Sequence, residues 1–361
     1  MKAVAVYPAD RRVKLIEREE PRIALPTQVR VRMLEVGVCG TDKELCNFVF
    51  GTPPPGSDHF ILGHESLGEV DEIGSAVAGL QPGDLVVSSV RLPCASAICT
   101  ACRSDHQDFC STGAYIEHGI KALDGFMAEY VVEEQRFLHP VPKHLRDVGV
   151  LVEPLTIAEK GFHEVERVQS RLPWEPTGRT ALVLGAGAVG LLGAMKLISA
   201  GYRVFLYSLR PAPNASSAIA EAIGAVYISS QTTPLDEMAE QVGSIDVVYE
   251  ALGAAQVAFD VLRLLAPNGA YIFTGVPRHQ TLEPFATEDI IENLVLKNQA
   301  VFGIVNAGPR AFRDAIRDIA IFESLWPEAV RDLITGRYAM EAFLDPVTGR
   351  AGGIKNVIRI G

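Results

Sequence analysis

The sequence predicts an α/β protein in which a β-rich part is followed by a doubly wound parallel sheet. Three observations carry that prediction. The chain has 361 residues, more than one ordinary hydrophobic core organises, so two domains are expected. Its first half holds short, alternating apolar stretches punctuated by glycine, the pattern of half-buried strands. From Thr180 onward, apolar strands alternate with helical stretches of about ten residues, the rhythm of a right-handed parallel sheet.

In the β-rich part, Val29–Gly40 alternates as a strand. Gly63–Gly74, Gly83–Ser89 and Gly125–Glu134 are further strands, and together they read as a folded barrel with loops. The second part reads TALVLGAG as strand and turn, AVGLLGAMKLISAG as helix, YRVFLYSL as strand and SSAIAEAIG as helix. VYIS, DEMAEQVG, IDVVYEALG, AYIFTGV and AVFGIVN continue the alternation. RAFRDAIRDIAIF is a helix after that, and KNVIRIG a terminal strand that returns to the first part. Prolines and a glycine in Leu172–Thr180 mark the junction. The expected domains are therefore 1–174, completed by 307–361, and 175–306.

The composition narrows the function classes. Nearly half the residues are apolar (48%) and 21% are charged, as in a well-packed globular chain. With 44 acidic against 33 basic residues the formal net charge is −11, which disfavours nucleic acid and anionic membranes as partners. The N-terminus reads as a strand and not a signal peptide. Ala181–Met195 is apolar but rich in glycine and shorter than the ~20 residues a membrane span requires. A cytoplasmic protein is expected.

Gly185-Ala186-Gly187-Ala188-Val189-Gly190 follows an apolar strand and opens a helix. The first glycine makes the tight turn, the second admits a pyrophosphate to the backbone, and the third lets helix pack on strand. In that context the loop predicts a Rossmann-type dinucleotide site on the helix N-terminus. The next strand ends Ser208-Leu209-Arg210, with no carboxylate from Tyr202 to Ala220. A hydroxyl and a guanidinium suit a 2′-phosphate, so NADP is favoured, with NAD possible. A solvated loop arginine is the bland alternative.

Cys39 follows a strand in Cys39-Gly40-Thr41-Asp42, His64 and Glu65 lie just before one, and Glu153 stands in Glu153-Pro154-Leu155. A thiolate, an imidazole and one or two carboxylates are a donor set for catalytic zinc. Singly, each has an ordinary reading: a small buried cysteine, a surface His-Glu pair. With GHESLGEVDEIG, the four cysteines Cys94, Cys99, Cys102 and Cys110, and GAGAVG in that order, the chain resembles the medium-chain zinc alcohol dehydrogenase family. Glu117-His118-Gly119-Ile120 with DGFMAEY, Glu153-Pro154-Leu155 with Glu159-Lys160, and Gly303-Ile304-Val305-Asn306 resemble its glucose dehydrogenase branch, best known from archaea.

The resemblance implies a GroES-like catalytic domain beside the Rossmann domain. It implies that Cys39 and His64 hold zinc, that Glu65 and Glu153 complete or exchange in its shell, and that Asp42 bonds the other nitrogen of His64. Thr41 would relay the proton of the reacting hydroxyl. Glu117, Thr41, Glu153 and Asn306 would bind a sugar, and Asn306 and Gly275 would lie near the nicotinamide. The reaction implied is zinc-assisted oxidation of an aldose at C1 to a lactone. A polyol or secondary-alcohol dehydrogenase of the sorbitol or threonine type is the alternative, and a non-catalytic dinucleotide-binding protein a second. A homodimer or homotetramer, joined through the strand near Val301, follows by analogy.

Cys94-x4-Cys99-x2-Cys102-x7-Cys110 resembles the structural zinc loop of the family, which usually has two residues in the first gap and not four. Tetrahedral sites accept the longer arm, so a structural zinc is expected. A reduced empty cluster and a disulfide are the other readings. Cys46 is left without a role.

Overall fold

A computed structural model describes residues 1–174, 177–277 and 287–361. Glu175 and Pro176, in the stretch read as the domain junction, lie outside the described residues.

The first stretch runs through β1 (Lys2–Tyr7), β2 (Arg12–Glu17), β3 (Gln28–Val38), β4 (Phe60–Ile61), β5 (Glu65–Ile73), β6 (Leu85–Ser88), β7 (Arg91–Leu92), β8 (Ile116–His118), β9 (Ala122–Leu123), β10 (Tyr130–Glu134) and β11 (Leu138–Val141). β11, β6, β5 and β3 pair antiparallel in that order, and β10 also joins β3. β2-β1-β4 and β7-β8-β9 form two small sheets. Val29, Val31 and Met33 of β3 meet Val4, Val6, Phe60, Leu62 and Phe126 in the core. That burial, not strand propensity alone, fixes the register.

Two strand boundaries differ from the sequence reading. β3 stops at Val38 because Cys39 caps helix α1 (Gly40–Cys46): its Sγ accepts from Thr41 N–H, and Asp42 accepts from Cys39 N–H. In GFMAEYVVEE only Tyr130–Glu134 is strand. Phe126 and Met127 are instead threaded through the core, their N–H groups bonded to the carbonyls of Gly63 and Leu62.

Helix α2 (Thr100–Arg103) lies among the four clustered cysteines, and α3 (Val152–Gln169) follows β11. Next come β12 (Thr180–Leu184), α4 (Ala188–Ser199), β13 (Arg203–Ser208), α5 (Ala215–Ala222), β14 (Val226–Ser229), α6 (Leu235–Val242), β15 (Ile245–Glu250), α7 (Ala255–Leu262), β16 (Leu265–Phe273), α8 (Thr287–Leu296) and β17 (Ala300–Gly303). These strands form one parallel sheet in the order β14-β13-β12-β15-β16-β17. The order reverses between β12 and β15, and such a switch point opens a crevice at the carboxyl ends of the strands. β12 is buried along its whole length, as a central parallel strand is.

Helix α9 (Pro309–Leu325) buries Phe312, Ala315, Ile319 and Phe322, one face at helical spacing. β18 (Ile334–Ala339) and β19 (Lys355–Arg359) then pair parallel, and β19 pairs antiparallel with β3. The chain divides into two compact units, Met1–Thr156 with Asn306–Leu325 and Val330–Gly361, and Ile157–Val305 with Trp326–Ala329. The division falls inside α3, earlier than the proline-marked stretch at 172–180, because a continuous helix carries the chain from one unit to the other. Among the described residues no helix is long and apolar enough to cross a membrane.

Candidate active site

β3 and β5 are neighbours, and their ends bring Cys39, His64 and Glu65 together. Cys39 Sγ lies 3.1 Å from His64 Nε2. Ligand atoms of all three residues lie within 4.8 Å of one another. Gly37 stands opposite Glu65 in the β3–β5 register. A Cβ at residue 37 would sit 2.0 Å from Glu65 Oε2, so the carboxylate occupies space that only glycine leaves. Glu153, in the first turn of α3, is buried but is not a member of that group.

Charge dominates this cluster. Asp42, fully buried, accepts from Cys39 N–H at 2.9 Å and places Oδ1 3.4 Å from His64 Nδ1. Burial alone would lower the His64 pKa, but Cys39 and Asp42 override it and hold the imidazole well above its ordinary value. Burial pushes the Cys39 thiol up and the Glu153 carboxyl up to about 7. Lys355, from β19, donates to both oxygens of Glu65 at 2.7 Å. Lys355 and His64 thus sit among three carboxylates and a thiol. Thiolate, imidazole and carboxylate together suit zinc. The residues fit the metal.

Thr41 lies in the first turn of α1, with its N–H 3.2 Å from Cys39 Sγ. Glu117 is buried on β8, and its Oε1 accepts from Arg91 Nε at 2.9 Å and from Asn306 Nδ2 at 3.1 Å. Asn306 Oδ1 accepts from Ala307 N–H at 2.8 Å, so both ends of that amide are committed.

The four clustered cysteines are free thiols, and their sulfurs lie within 4.8 Å of one another. Backbone N–H groups of Cys102 and Ser111 hold Cys99 down to about 5, whereas burial pushes Cys102 up to about 12. Four thiols converging in one loop fit a closed tetrahedral zinc site, the longer first gap notwithstanding.

In the other unit the glycine loop follows β12. A Cβ on Gly190 would lie 1.9 Å from the Gly185 carbonyl oxygen, so helix and turn touch there. Gly187 has nothing within 4 Å of such a Cβ, which leaves open space for a phosphate over the N-terminus of α4 that begins at Ala188 and Val189. Ser208 ends β13, and Arg210 is exposed with no side-chain partner among the described residues. The N–H of Gly275 is taken by Glu250 Oε2 at 3.0 Å, so its backbone can offer a ligand only the carbonyl and close approach.

The alcohol dehydrogenase GroES-like domain matches residues 25–143, and the glucose dehydrogenase C-terminus matches residues 146–360. The glucose 1-dehydrogenase of Methanocella arvoryzae is 39% identical, covering 100% of both chains. The chain belongs to the glucose dehydrogenase branch of the medium-chain zinc alcohol dehydrogenases. The glucose 1-dehydrogenase of Thermoproteus tenax is 38% identical over 100% of this chain and 99% of its own. The structure of Haloferax mediterranei glucose dehydrogenase in complex with NADP, Zn and gluconolactone superposes with a TM-score of 0.90, at 32% identity, over 100% of this chain and 99% of that one. Galactitol-1-phosphate dehydrogenase from Escherichia coli, at 24% identity and a TM-score of 0.81 over 99% of this chain and 100% of its own, shares the fold.

Three residues of this family member escape sequence reasoning. Lys355 neutralises Glu65, Arg91 binds Glu117, and Glu250, 1% exposed, accepts from Leu252, Gly253 and Gly275 N–H to knit the loops after β15 and β16. The first two are charges on strands, which in sequence look like solvent-facing positions. Glu250 ends an apolar strand before Ala-Leu-Gly, and a carboxylate at the mouth of a parallel strand was its one available signal.

Proposed function

We propose that the protein oxidises an aldose, glucose or a close relative, at the anomeric C1 hydroxyl to the lactone, with NADP as preferred hydride acceptor and NAD also accepted. The observation that carries the substrate class is Glu117: a buried carboxylate held on one oxygen by Arg91 and Asn306, leaving the other for hydroxyl groups. Full-length similarity to proteins named glucose 1-dehydrogenases supports the same reading.

In this reading Cys39 and His64 hold the catalytic zinc, with Glu65 and Glu153 completing or exchanging in its shell. Cys94, Cys99, Cys102 and Cys110 hold a structural one. When bound, zinc supplies Lewis acidity at the C1 hydroxyl and the nicotinamide supplies the hydride acceptor. The other steps fall to the chain itself. Asp42 fixes the His64 ring from its Nδ1 side. Lys355 draws Glu65 toward the protein and sets how readily that carboxylate reaches inward. Thr41 relays the proton of the reacting hydroxyl. Glu117 and Asn306 orient the sugar.

For the dinucleotide, Gly185, Gly187, Ala188, Val189 and Gly190 receive the pyrophosphate, Ser208 and Arg210 the 2′-phosphate, and Gly275 and Asn306 border the nicotinamide. Catalysis thus belongs to residues 1–174 with 307–361, and dinucleotide binding to 175–306. The free cysteines suit the cytoplasm. A homodimer or homotetramer through β17 is supported by its place at the sheet edge and by exposed Val301, Ile291 and Val295 nearby in sequence.

Purified protein assayed with glucose, galactose, xylose, sorbitol and threonine, with NADP and NAD in parallel, tests the reading. Aldose turnover that is lost on chelation and restored by zinc is expected. Turnover of sorbitol or threonine alone would overturn the aldose assignment, and strong NAD preference would overturn the role of Arg210.

A further inference from the structure

We propose that Arg91 is a positioning residue that turns Glu117 into a one-sided acceptor for substrate hydroxyls. The inference rests on the aldose reading above and names a residue through which it works.

Arg91 and Glu117 face each other directly across the β7–β8 pair. Their side chains are 5% and 10% exposed. Arg91 Nε and Nη2 each lie 2.9 Å from the same carboxylate oxygen, Glu117 Oε1. Asn306 Nδ2 donates to that oxygen as well, at 3.1 Å. Arg91 Nη1 donates to the Asp108 carbonyl at 3.3 Å, and the guanidinium carbon lies 3.7 Å from the centre of the Tyr115 ring. Every nitrogen of the guanidinium is therefore engaged and one of its faces is covered. It is a fork locked in one pose.

An arginine–carboxylate pair built only for stability commonly engages both carboxylate oxygens in parallel. Here three donors converge on Oε1, and among the described residues no group donates to Oε2. The carboxylate cannot rotate without breaking those bonds. An ionised carboxylate only accepts. Oε2 thus selects a ligand that brings hydroxyl donors to a fixed point, which is a polyhydroxylated ring. Asn306 is itself held in place: its backbone is left-handed (φ 58°), and its Oδ1 accepts from Ala307 N–H.

The consequence is a split between binding and chemistry. Arg91 contacts Glu117, the Asp108 carbonyl and Tyr115, none of them in the cluster of Cys39, His64 and Glu65, so its loss should weaken sugar binding and spare the hydride step. Arg91→Lys keeps a charge but lacks the planar fork. For this variant of the zinc-loaded enzyme, the KM for glucose should rise about tenfold or more, the cost of a lost charged hydrogen bond. The kcat should stay within about threefold and the KM for NADP should not move. In a Glu117→Gln background, Arg91→Lys should add less than about twofold, because its effect passes through Glu117. Thermal melting of each variant accompanies the kinetics, and Arg91→Gln is read alongside if it folds.

An unchanged glucose KM in Arg91→Lys would overturn the proposal, as would two substitutions whose effects multiply independently. A fall in kcat equal to the fall in kcat/KM would also overturn it, by placing Arg91 in the chemical step. If the unsubstituted enzyme turns over no aldose, the aldose reading itself fails and the ligand class named here falls with it. Wild-type turnover with an indifferent Arg91 variant sinks the role of Arg91 alone.

Discussion

The chain builds two thiol-bearing clusters in opposite ways. Cys39, His64 and Glu65 sit at the ends of β3 and β5, the longest pairing of the first unit, among buried valines and leucines. Their donors are mixed, and charge is balanced by Asp42 and Lys355. Cys94, Cys99, Cys102 and Cys110 instead lie on a loop whose regular structure is the single turn α2 and one short 3₁₀ turn, Gln107–Phe109. Ile98 is 84% exposed and Phe109 50%, so the lobe has little apolar interior of its own. In the first cluster the fold makes the site; in the second the site has to make the fold.

That contrast can be broken by substitution. His64→Ala should cost about a thousandfold or more in turnover, the scale of losing several kcal/mol of Lewis-acid stabilisation, while the melting temperature moves by a few degrees at most. Unfolding of this variant at ordinary temperature would show that the β3–β5 cluster also carries the fold. Cys102→Ser should behave the other way round. One zinc equivalent per chain should disappear by elemental analysis, and limited proteolysis should open the chain between residues 94 and 110. A variant that keeps its full zinc content and resists protease would remove the lobe from the metal argument.

Acid gives the smallest effect and separates metal from fold. His139 is buried, stacked on Phe312 with ring centres 4.5 Å apart, and its Nε2 lies 2.9 Å from Ser89 Oγ. Burial first, and Arg313 second, pull its pKa down to about 4. Between the ordinary histidine value and about 4 the unfolded chain binds a proton that the folded chain refuses. The associated stability is therefore fully present above about pH 6.5 and is lost as pH falls toward 4, by on the order of 3 kcal/mol. His139→Phe should flatten that part of the melting-temperature profile in chelated protein. Any acid slope that then remains only in zinc-loaded protein reports ligand protonation. An unchanged profile in the chelated variant would acquit His139.

The fold was legible where the signal is local. The period of apolar residues marked β12 to β17 and the helices between them, and the glycine loop announced the turn after β12. The four-cysteine lobe was equally plain, since its residues are close in sequence. What stayed hidden depends on pairing across the chain. Lys355 meets Glu65 across 290 positions, and a lysine in KNVIRIG looks like a strand's wet side until β19 is laid against β3. Arg91 has the same disguise, lifted only by the β7–β8 register that sets it opposite Glu117. The segment GFMAE looked like strand because Phe126 and Met127 are apolar, yet tertiary packing draws them straight through the core.

The Lys355–Glu65 pair also imposes an order of assembly. Glu65 is made early, and its counter-charge, Lys355, is made 290 residues later. Until β19 is made, Glu65 lacks the ammonium that pairs with it and β3 lacks the neighbour that β19 provides. The nucleotide-binding sheet, contiguous from β12 to β17, has no such dependence and can condense while the ribosome is still working. β19 is thus a timer: the cluster of Cys39, His64 and Glu65 closes only after the nucleotide-binding sheet has been made.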